Sequence, residues 1–249
     1  MLSPTEPAPA RTSTPQVDFE LDAFDADEEM YLDFYRQVAV REDMLVPLAE
    51  HHSPDGAHSY YVLFDRSAAY GHPGMPSYVA VHLKRDREKE TFDFEQALLP
   101  LPAMAQSWLI HRGCPPDAIG LNPELGPPPA DEATRALARR LAGDGDHYAM
   151  GYSYTSVDPD DMVTVVALRA LDEGAPSPFR VVVEEVDTDA WTHTLREGGF
   201  DTVGEALQWC DDRLTGQADP LPLVRPAAAA TRPAARPKTP APRPIGRSR

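Results

Sequence analysis

The spacing of apolar residues changes from helical to alternating and back to helical twice along the chain, and this restricts the fold more than any other feature. In the first half the spacing predicts a helix, three strands and a second helix, at 28–40, 60–65, 78–84, 91–95 and 102–112. The clearest strand is 78–84, where Val79, Val81 and Leu83 alternate with Tyr, Ala, His and Lys. Helices on both sides of a run of strands are typical of an α+β fold built on antiparallel sheets.

The second half repeats this order after a proline-rich connector at 122–130. Its last helix opens at Thr202, with Glu205 three residues later, which is the spacing of a capping box. The other elements predicted there are a helix at 131–141 and strands at 147–154, 162–169, 179–186 and, as a fourth candidate, 190–195. The order of elements predicts two similar α-β-β-β-α units at 23–121 and 131–214, although residue identity between the halves is negligible.

Two of the predicted helices should bury an apolar stripe against a sheet, because their apolar residues recur three and four positions apart. The first stripe consists of Tyr31, Phe34, Tyr35 and Val38, and the second consists of Met104, Ala105, Trp108 and Leu109.

Three tyrosines provide the candidate binding surface on the folded body. Tyr148, Tyr152 and Tyr154 share one face of an ideal strand with Met150. Such a face packs beneath a helix or, where it stays open, contacts another protein, because Tyr and Met are enriched at recognition surfaces.

The two ends of the chain are predicted to be disordered. Residues 1–22 and 215–249 are rich in Pro, Ala, Ser or Arg and contain few large apolar side chains. Such segments bury too little apolar surface to offset the entropy that is lost on ordering. About 190 residues remain, which is enough for a substantial core.

Charge is distributed unevenly along the chain. The formal net charge is −17, but 225–249 contains seven basic residues and no acidic one, so removing those seven charges leaves −24 on the rest. An acidic body repels nucleic acid and anionic membranes. The basic tail is the exception, and Arg232, Arg236 and Arg243 are its candidate contacts with nucleic acid, with lipid or with the acidic body. The composition favours a solubilising linker over these contacts.

The composition favours a cytoplasmic protein. The start of the chain lacks the features of a signal peptide, and no apolar run approaches the ~18 residues of a membrane span. Lysine is scarce while Arg, Ala, Pro and Asp are abundant, which is typical of high-GC bacterial genomes such as those of actinomycetes.

No catalytic residue, cofactor site or metal site is predicted. The sequence has no Gly-x-Ser-x-Gly motif and no phosphate-binding glycine loop. His51, His52 and His58 match no zinc-ligand spacing, so we interpret them as part of a polar turn. Cys210 should lie in a core, whereas Cys114, beside Gly113 and two prolines, should be exposed.

Carboxylates are too abundant for their spacing to identify an active site. Glycosidases use two acids on either side of a sugar cleft, and Glu184–Glu185 or Asp93–Glu95 would supply such a pair. With forty acidic residues in the chain, however, pairs at this separation arise without any function.

We therefore expect a non-catalytic acidic binding or regulatory module that acts through contacts with an unidentified protein. Two alternatives remain open. One is a carboxylate-based hydrolase of the glycoside hydrolase kind. The other is a protein of nucleic-acid metabolism that binds DNA through its basic tail or mimics DNA with its acidic body.

Overall fold

Two four-stranded antiparallel sheets, each lying between two α-helices, dominate the structure. It is a computed structural model that describes residues 15–70, 74–144, 147–156, 158 and 160–225. The first unit contains α1 Glu28–Gln37, β1 Leu45–His52, β2 His58–Asp65, β3 Tyr78–Asp86, β4 Thr91–Leu99 and α2 Pro102–Ile110. The second contains α3 Glu132–Leu141, β5 Tyr148–Thr155, β6 Val163–Ala170, β7 Phe179–Asp187, β8 Thr192–Phe200 and α4 Val203–Leu214. The predicted class, helices packed on antiparallel sheets, is confirmed.

Each sheet is covered by one helix on each face. The strands follow chain order, β1-β2-β3-β4 in sheet 1 and β5-β6-β7-β8 in sheet 2. We name the faces after their helices: Leu83 lies on the α1 face, Val62 on the α2 face, Val182 on the α3 face and Val181 on the α4 face. Leu101, which precedes α2, packs in the core beneath α3, so α2 connects the two units.

The first unit contains a strand that the sequence pattern did not reveal. Strand β1 carries Pro47 and includes His51 and His52, which we had assigned to a turn. Proline is tolerated because β1 is an edge strand and its register with β2 shifts between Pro47 and Ala49. Each unit therefore has four strands rather than three.

The two units repeat each other in detail. Their strands have the same lengths, 8, 8, 9 and 9 residues in order, and the first strand of each has a bulge at its fourth residue, Leu48 or Gly151. The turns after β3 and β7 also match. Asp86 and Asp187 each accept hydrogen bonds from the backbone N–H groups two and three residues ahead, at 2.8–3.1 Å. These shared turns support the prediction of two similar units.

The N-terminal segment is ordered from residue 15, contrary to the prediction of disorder over 1–22. Val17 and Phe19 are buried on the α1 face of sheet 1. The Phe19 carbonyl accepts a hydrogen bond from Arg85, and the Phe19 ring packs edge-on against Tyr61 at 5.2 Å. These contacts supply the apolar burial that composition alone did not indicate. Residues 1–14 lie outside the described part of the chain.

Helix α1 buries a narrower stripe than its spacing predicts. Phe34 and Val38 are buried, whereas Tyr31 and Tyr35 are 57% and 50% exposed. Phe19 packs edge-on against the Phe34 ring at 5.4 Å, and the two share the core beneath α1.

The segment after α4 is also ordered as far as Arg225, although disorder was predicted from residue 215. It runs along the free edge of β8, where the Pro222 carbonyl accepts a hydrogen bond from Gly199 N at 3.1 Å. Leu221 packs against the core beneath α4. Residues 226–249 lie outside the described residues.

Candidate binding cleft between the two units

A cleft of about 290 Å³ lies where the two units meet. Helix α2 of the first unit forms one wall, and the end of α3 with strand β5 forms the other. Most of its lining is apolar, and the larger side chains are Met104, Trp108, Leu141, Tyr148, Met150 and Leu168. The charged side chains at its border are Arg112 and Asp144.

The first wall is held in place by an arginine that lies flat on a tryptophan. The Arg112 guanidinium carbon is 3.4 Å from the centroid of the Trp108 ring. Its Nε donates a hydrogen bond to Glu95 Oε2 at 2.9 Å, and Lys84 donates to the other oxygen of Glu95. The hydrogen bonds from Lys84 and then Arg112 hold the pKa of Glu95 below its ordinary value. The indole and guanidinium therefore form a fixed, half-exposed platform.

An ion-pair network holds the second wall. Arg180 lies over the Tyr148 ring at 4.4 Å and pairs with Glu197 at 3.4 Å. Arg140 bridges Glu197 at 2.5 Å and Asp144 at 3.2 Å. Several partly buried charges thus share partners around one aromatic ring, an arrangement that fixes its position better than an isolated surface pair would.

The three candidate tyrosines do not share one face, so that part of the prediction is wrong. The register of β5 against β6 shifts between Met150 and Tyr152, because Gly151 is an extra residue in the ladder. A bulge of this kind reverses the alternation of side chains. Tyr148 and Met150 consequently face the cleft, whereas Tyr152 and Tyr154 pack with the core beneath α4.

Tyr154 has a separate role as a contact between the units. A Cβ atom placed on Gly74 would lie 2.6 Å from the Tyr154 ring, so the close approach of the loop before β3 requires glycine there. The tail candidates Arg232, Arg236 and Arg243 lie outside the described residues.

The sequence prediction missed that Trp108 and Met104, which are partly buried, line a cleft. Both were assigned to a buried stripe, but α2 is covered on two sides and its fully buried residues are Ala103, Ala105, Ser107 and Leu109. The spacing of Trp108 and Arg112, four residues apart at a helix end, could have indicated a stacked pair on the helix surface.

Strand β5 differs from the other three edge strands because its outer backbone edge is left uncovered by the described residues. Asn122 N donates to the Leu48 carbonyl of β1, and Asp25 exchanges hydrogen bonds with the edge of β4. His193 of β8 likewise pairs with the connector that precedes α3. Within the described part of the chain, only β6 pairs with β5, and Ala149–Gly151 is exposed. The cleft is therefore bordered by an open backbone edge.

The histidines form a stacked row on the α2 face of sheet 1. The His82 and Tyr60 rings stack at 4.5 Å, and His58 Nδ1 lies 3.1 Å from His82 Nε2. Burial lowers the pKa of His82 to about 4, so it is neutral at physiological pH. His52 points to the opposite face and contacts Ser59 Oγ at 2.8 Å. The described residues contain no group of three or more side chains arranged to hold a metal ion.

Of the two carboxylate pairs singled out from the sequence, Glu184 and Glu185 lie on opposite faces of sheet 2, and Glu95 of the other pair is held by Lys84 and Arg112. Glu184 faces α3 and Glu185 faces α4, where it pairs with Arg213 at 2.7 Å. Burial raises the pKa of Glu184 to about 7. Glu184 does not line the cleft.

Both thiols are buried. Cys114 is 2% exposed, contrary to expectation, because it packs beneath α2 with Tyr60 and Leu109. Burial raises the pKa of Cys114 and of Cys210 to about 11, which disfavours the reactive thiolate.

Comparison with protein-family models, with curated protein sequences and with solved structures gave no match in any of the three searches. Across the described ranges, no helix has the length and apolar content needed to cross a membrane.

Proposed function

We propose that this protein is a non-catalytic binding module that holds a segment of a partner protein in the cleft between its two units. The observation that carries the proposal is the chemistry of the walls: a Trp–Arg platform faces a Tyr–Met surface across an open apolar cleft. Trp, Tyr, Met and Arg are the side chains enriched where proteins recognise one another.

The dimensions of the cleft favour side chains of a partner over a large cofactor. Ligand pockets in proteins usually enclose about 300–1,000 Å³, and this cleft of about 290 Å³ lies at the lower limit. Met104 and Met150 have unbranched side chains that adapt to different apolar groups. A partner would therefore insert one or two apolar side chains and leave the rest of its surface outside.

The cleft is lined by Ser107 and His111 as well, with His111 Nδ1 2.7 Å from the Ser107 carbonyl, but its lining offers little to a hydrolase that works with two carboxylates. Among the described residues that line it, Asp144 is the single carboxylate, and it is paired with Arg140. The buried acid with a raised pKa, Glu184, lies elsewhere. The two nucleic-acid alternatives, binding through the tail beyond Arg225 and mimicry of DNA by the acidic body, stay predictions.

The test is capture of partners from a native lysate by the full chain and by two single variants. Met150→Asp places a charge in the apolar cleft, whereas Val203→Asp places one at an equally exposed apolar position on α4. We expect the dominant partner to be retained by Val203→Asp and reduced at least tenfold by Met150→Asp. Equal retention by both variants would show that the partner does not use the cleft.

A further inference from the structure

The segment after α4 is attached closely to sheet 2. Trp209 Nε1 donates a hydrogen bond to the Asp219 carbonyl at 2.8 Å, which fixes the start of the segment. Further along, a Cβ atom on Gly198 would lie 2.7 Å from Leu221. The segment can lie this close to β8 only because the strand has glycine there. We call residues 217–225 the strap.

The strap ends at the same end of sheet 2 as the cleft. Arg225 N donates to Ser177 Oγ at 3.1 Å, and the next residue, Pro178, accepts a hydrogen bond from Ala170 N at 2.8 Å. Ala170 is the register partner of Tyr148, which lines the cleft. Two inter-strand spacings separate Pro178 from Tyr148 and amount to about 10 Å. The contact between Arg225 and Ser177 adds to this, so Arg225 lies on the order of 15 Å from the cleft.

The chain beyond the strap is long enough to reach the cleft. Residues 226–249 number 24, and an extended chain of that length spans up to about 80 Å. Attachment at a fixed nearby point gives such a segment an effective concentration in the millimolar range at the cleft.

The composition of this segment complements the body and the cleft walls. It contains six prolines, six basic residues and no acidic one, so the other residues together carry −23. Opposite charge favours association of the two parts. Proline-rich segments bind in grooves lined with aromatic side chains, because their polyproline II conformation loses little entropy on binding. Trp108 and Tyr148 provide two such side chains.

We propose that residues 226–249 bind the cleft in cis, so that the tail is an intramolecular competitor of the partner. This inference rests on the proposed function, since it assigns an occupant to the same cleft. A partner would have to displace the tail, which lowers the apparent affinity for that partner. Removing the tail would raise the apparent affinity again by the same factor.

The test uses ¹⁹F NMR of protein labelled with 5-fluorotryptophan. The chain contains three tryptophans, and Trp108→Phe identifies the signal of the one in the cleft. We expect the Trp108 signal to differ between the full chain and a chain ending at Arg225. The signal of Trp191, an exposed residue in the turn after β7, should be the same in both and is the internal control.

A synthetic peptide of residues 226–249 completes the test. Added to the chain ending at Arg225, it should return the Trp108 signal to its position in the full chain. The same peptide with its six Arg and Lys residues replaced by Gln should bind at least tenfold more weakly. Raising NaCl to about 0.5 M should shift the full chain towards the truncated one, since salt screens the attraction.

Two results would overturn the inference. One is a Trp108 signal at the same position in the full chain and in the chain ending at Arg225, with no response to the peptide. The other is a peptide that shifts the Trp108 signal of the truncated chain although the full chain and the truncated chain give the same signal without it. The proposed function is tested separately, by whether the chain ending at Arg225 loses its partner with Met150→Asp. A tail without effect and a partner sensitive to Met150→Asp would reject the cis ligand and retain the binding cleft.

Discussion

The two units share one frame but use the face beneath their first helix differently. Leu83 of β3 and Glu184 of β7 are equivalent in the matched strands, 101 residues apart, and both are buried. Near the start of the same two strands, Val79 of β3 corresponds to Arg180 of β7, and both lie on the face beneath the first helix of their unit. In the first unit this face is apolar from Val79 to Leu83 and ends at one buried arginine, Arg85, whereas in the second Arg180 and Glu184 lie on either side of Val182.

The contacts between the sheet and its first helix differ between the units in the same way, with charged residues in the second unit where the first has neutral ones. In the first unit Gln96 donates a hydrogen bond to Gln37 of α1 at 2.8 Å. In the second, Glu197 pairs with Arg140 of α3 at 2.5 Å. A neutral contact in one unit is therefore an ion pair in the other, and that ion pair supports Tyr148 at the cleft. The face beneath the first helix therefore serves the core in the first unit, whereas in the second it also positions Tyr148 at the cleft.

The largest expected effect comes from giving the first unit the residue of the second. Leu83→Glu replaces a fully buried leucine with a carboxyl on a face whose one buried arginine, Arg85, already donates to Ser59 Oγ and the Phe19 carbonyl, and it should lower the free energy of unfolding by about 3–5 kcal/mol. The conservative control Leu83→Met should cost less than about 1.5 kcal/mol. Urea unfolding measures both. A tolerated glutamate would show that the α1 face is as polar as the α3 face, contrary to the comparison.

The second prediction concerns the pH dependence of Glu184. Burial raises its pKa from 4.5 to about 7, so between these values the folded chain binds a proton that the unfolded chain has released. Stability relative to Glu184→Gln should therefore fall by about 1.4 kcal/mol for each unit of rising pH in this window and stay constant above it.

Glu185→Gln is the matched control for this effect, since Glu185 lies on the opposite face and pairs with Arg213. The substitution removes a carboxyl from the neighbouring position of β7 and leaves the buried site beneath α3 unchanged, so it controls for the loss of a charge on this strand. Parallel pH curves for the unmodified chain and Glu184→Gln would contradict a buried, proton-binding carboxyl at this position.

Features set by local sequence were predicted well. The capping box is present, with Glu205 N donating to Thr202 Oγ1 at 3.2 Å and Thr202 N donating to Glu205 Oε2 at 3.1 Å. Alternation also located β3, because its large aliphatic side chains all lie on the α1 face, although the side chains on the α2 face are buried as well. Both features depend on residues within a few positions of one another.

Features set by distant residues were not predicted. Pro47 hid β1, since only the position of the strand at a sheet edge makes proline acceptable there. Gly151 gave no sign that it would form a bulge and turn Tyr152 away from the cleft. The environment of Glu184 depends on packing between elements that no local pattern describes. A comparison of the halves at a spacing of 101 residues, aligning Asp86 with Asp187, would have improved the prediction of the repeat.

The third prediction tests whether the polar pairs differ as the two faces do. Glu197→Gln leaves two arginines without their shared carboxylate and should lower stability by about 1–2 kcal/mol. Gln96→Ala removes one neutral hydrogen bond and should cost about 1 kcal/mol or less. In 1 M NaCl the effect of Glu197→Gln should shrink while that of Gln96→Ala stays the same. Equal salt responses would remove this distinction between the units.

The smallest effect tests the identity of the two frames. Glu90 and Trp191 occupy the same position in the matching turns, and both have positive φ, 53° and 51°. Glycine reaches this region without the steric cost that a Cβ atom imposes, so Glu90→Gly and Trp191→Gly should each stabilise the chain by about 0.5 kcal/mol. Thermal unfolding measures both. Gains that agree within about 0.3 kcal/mol would mean that the turns are equivalent in energy as well as geometry, and a loss at one position would show that its side chain makes contacts the other lacks.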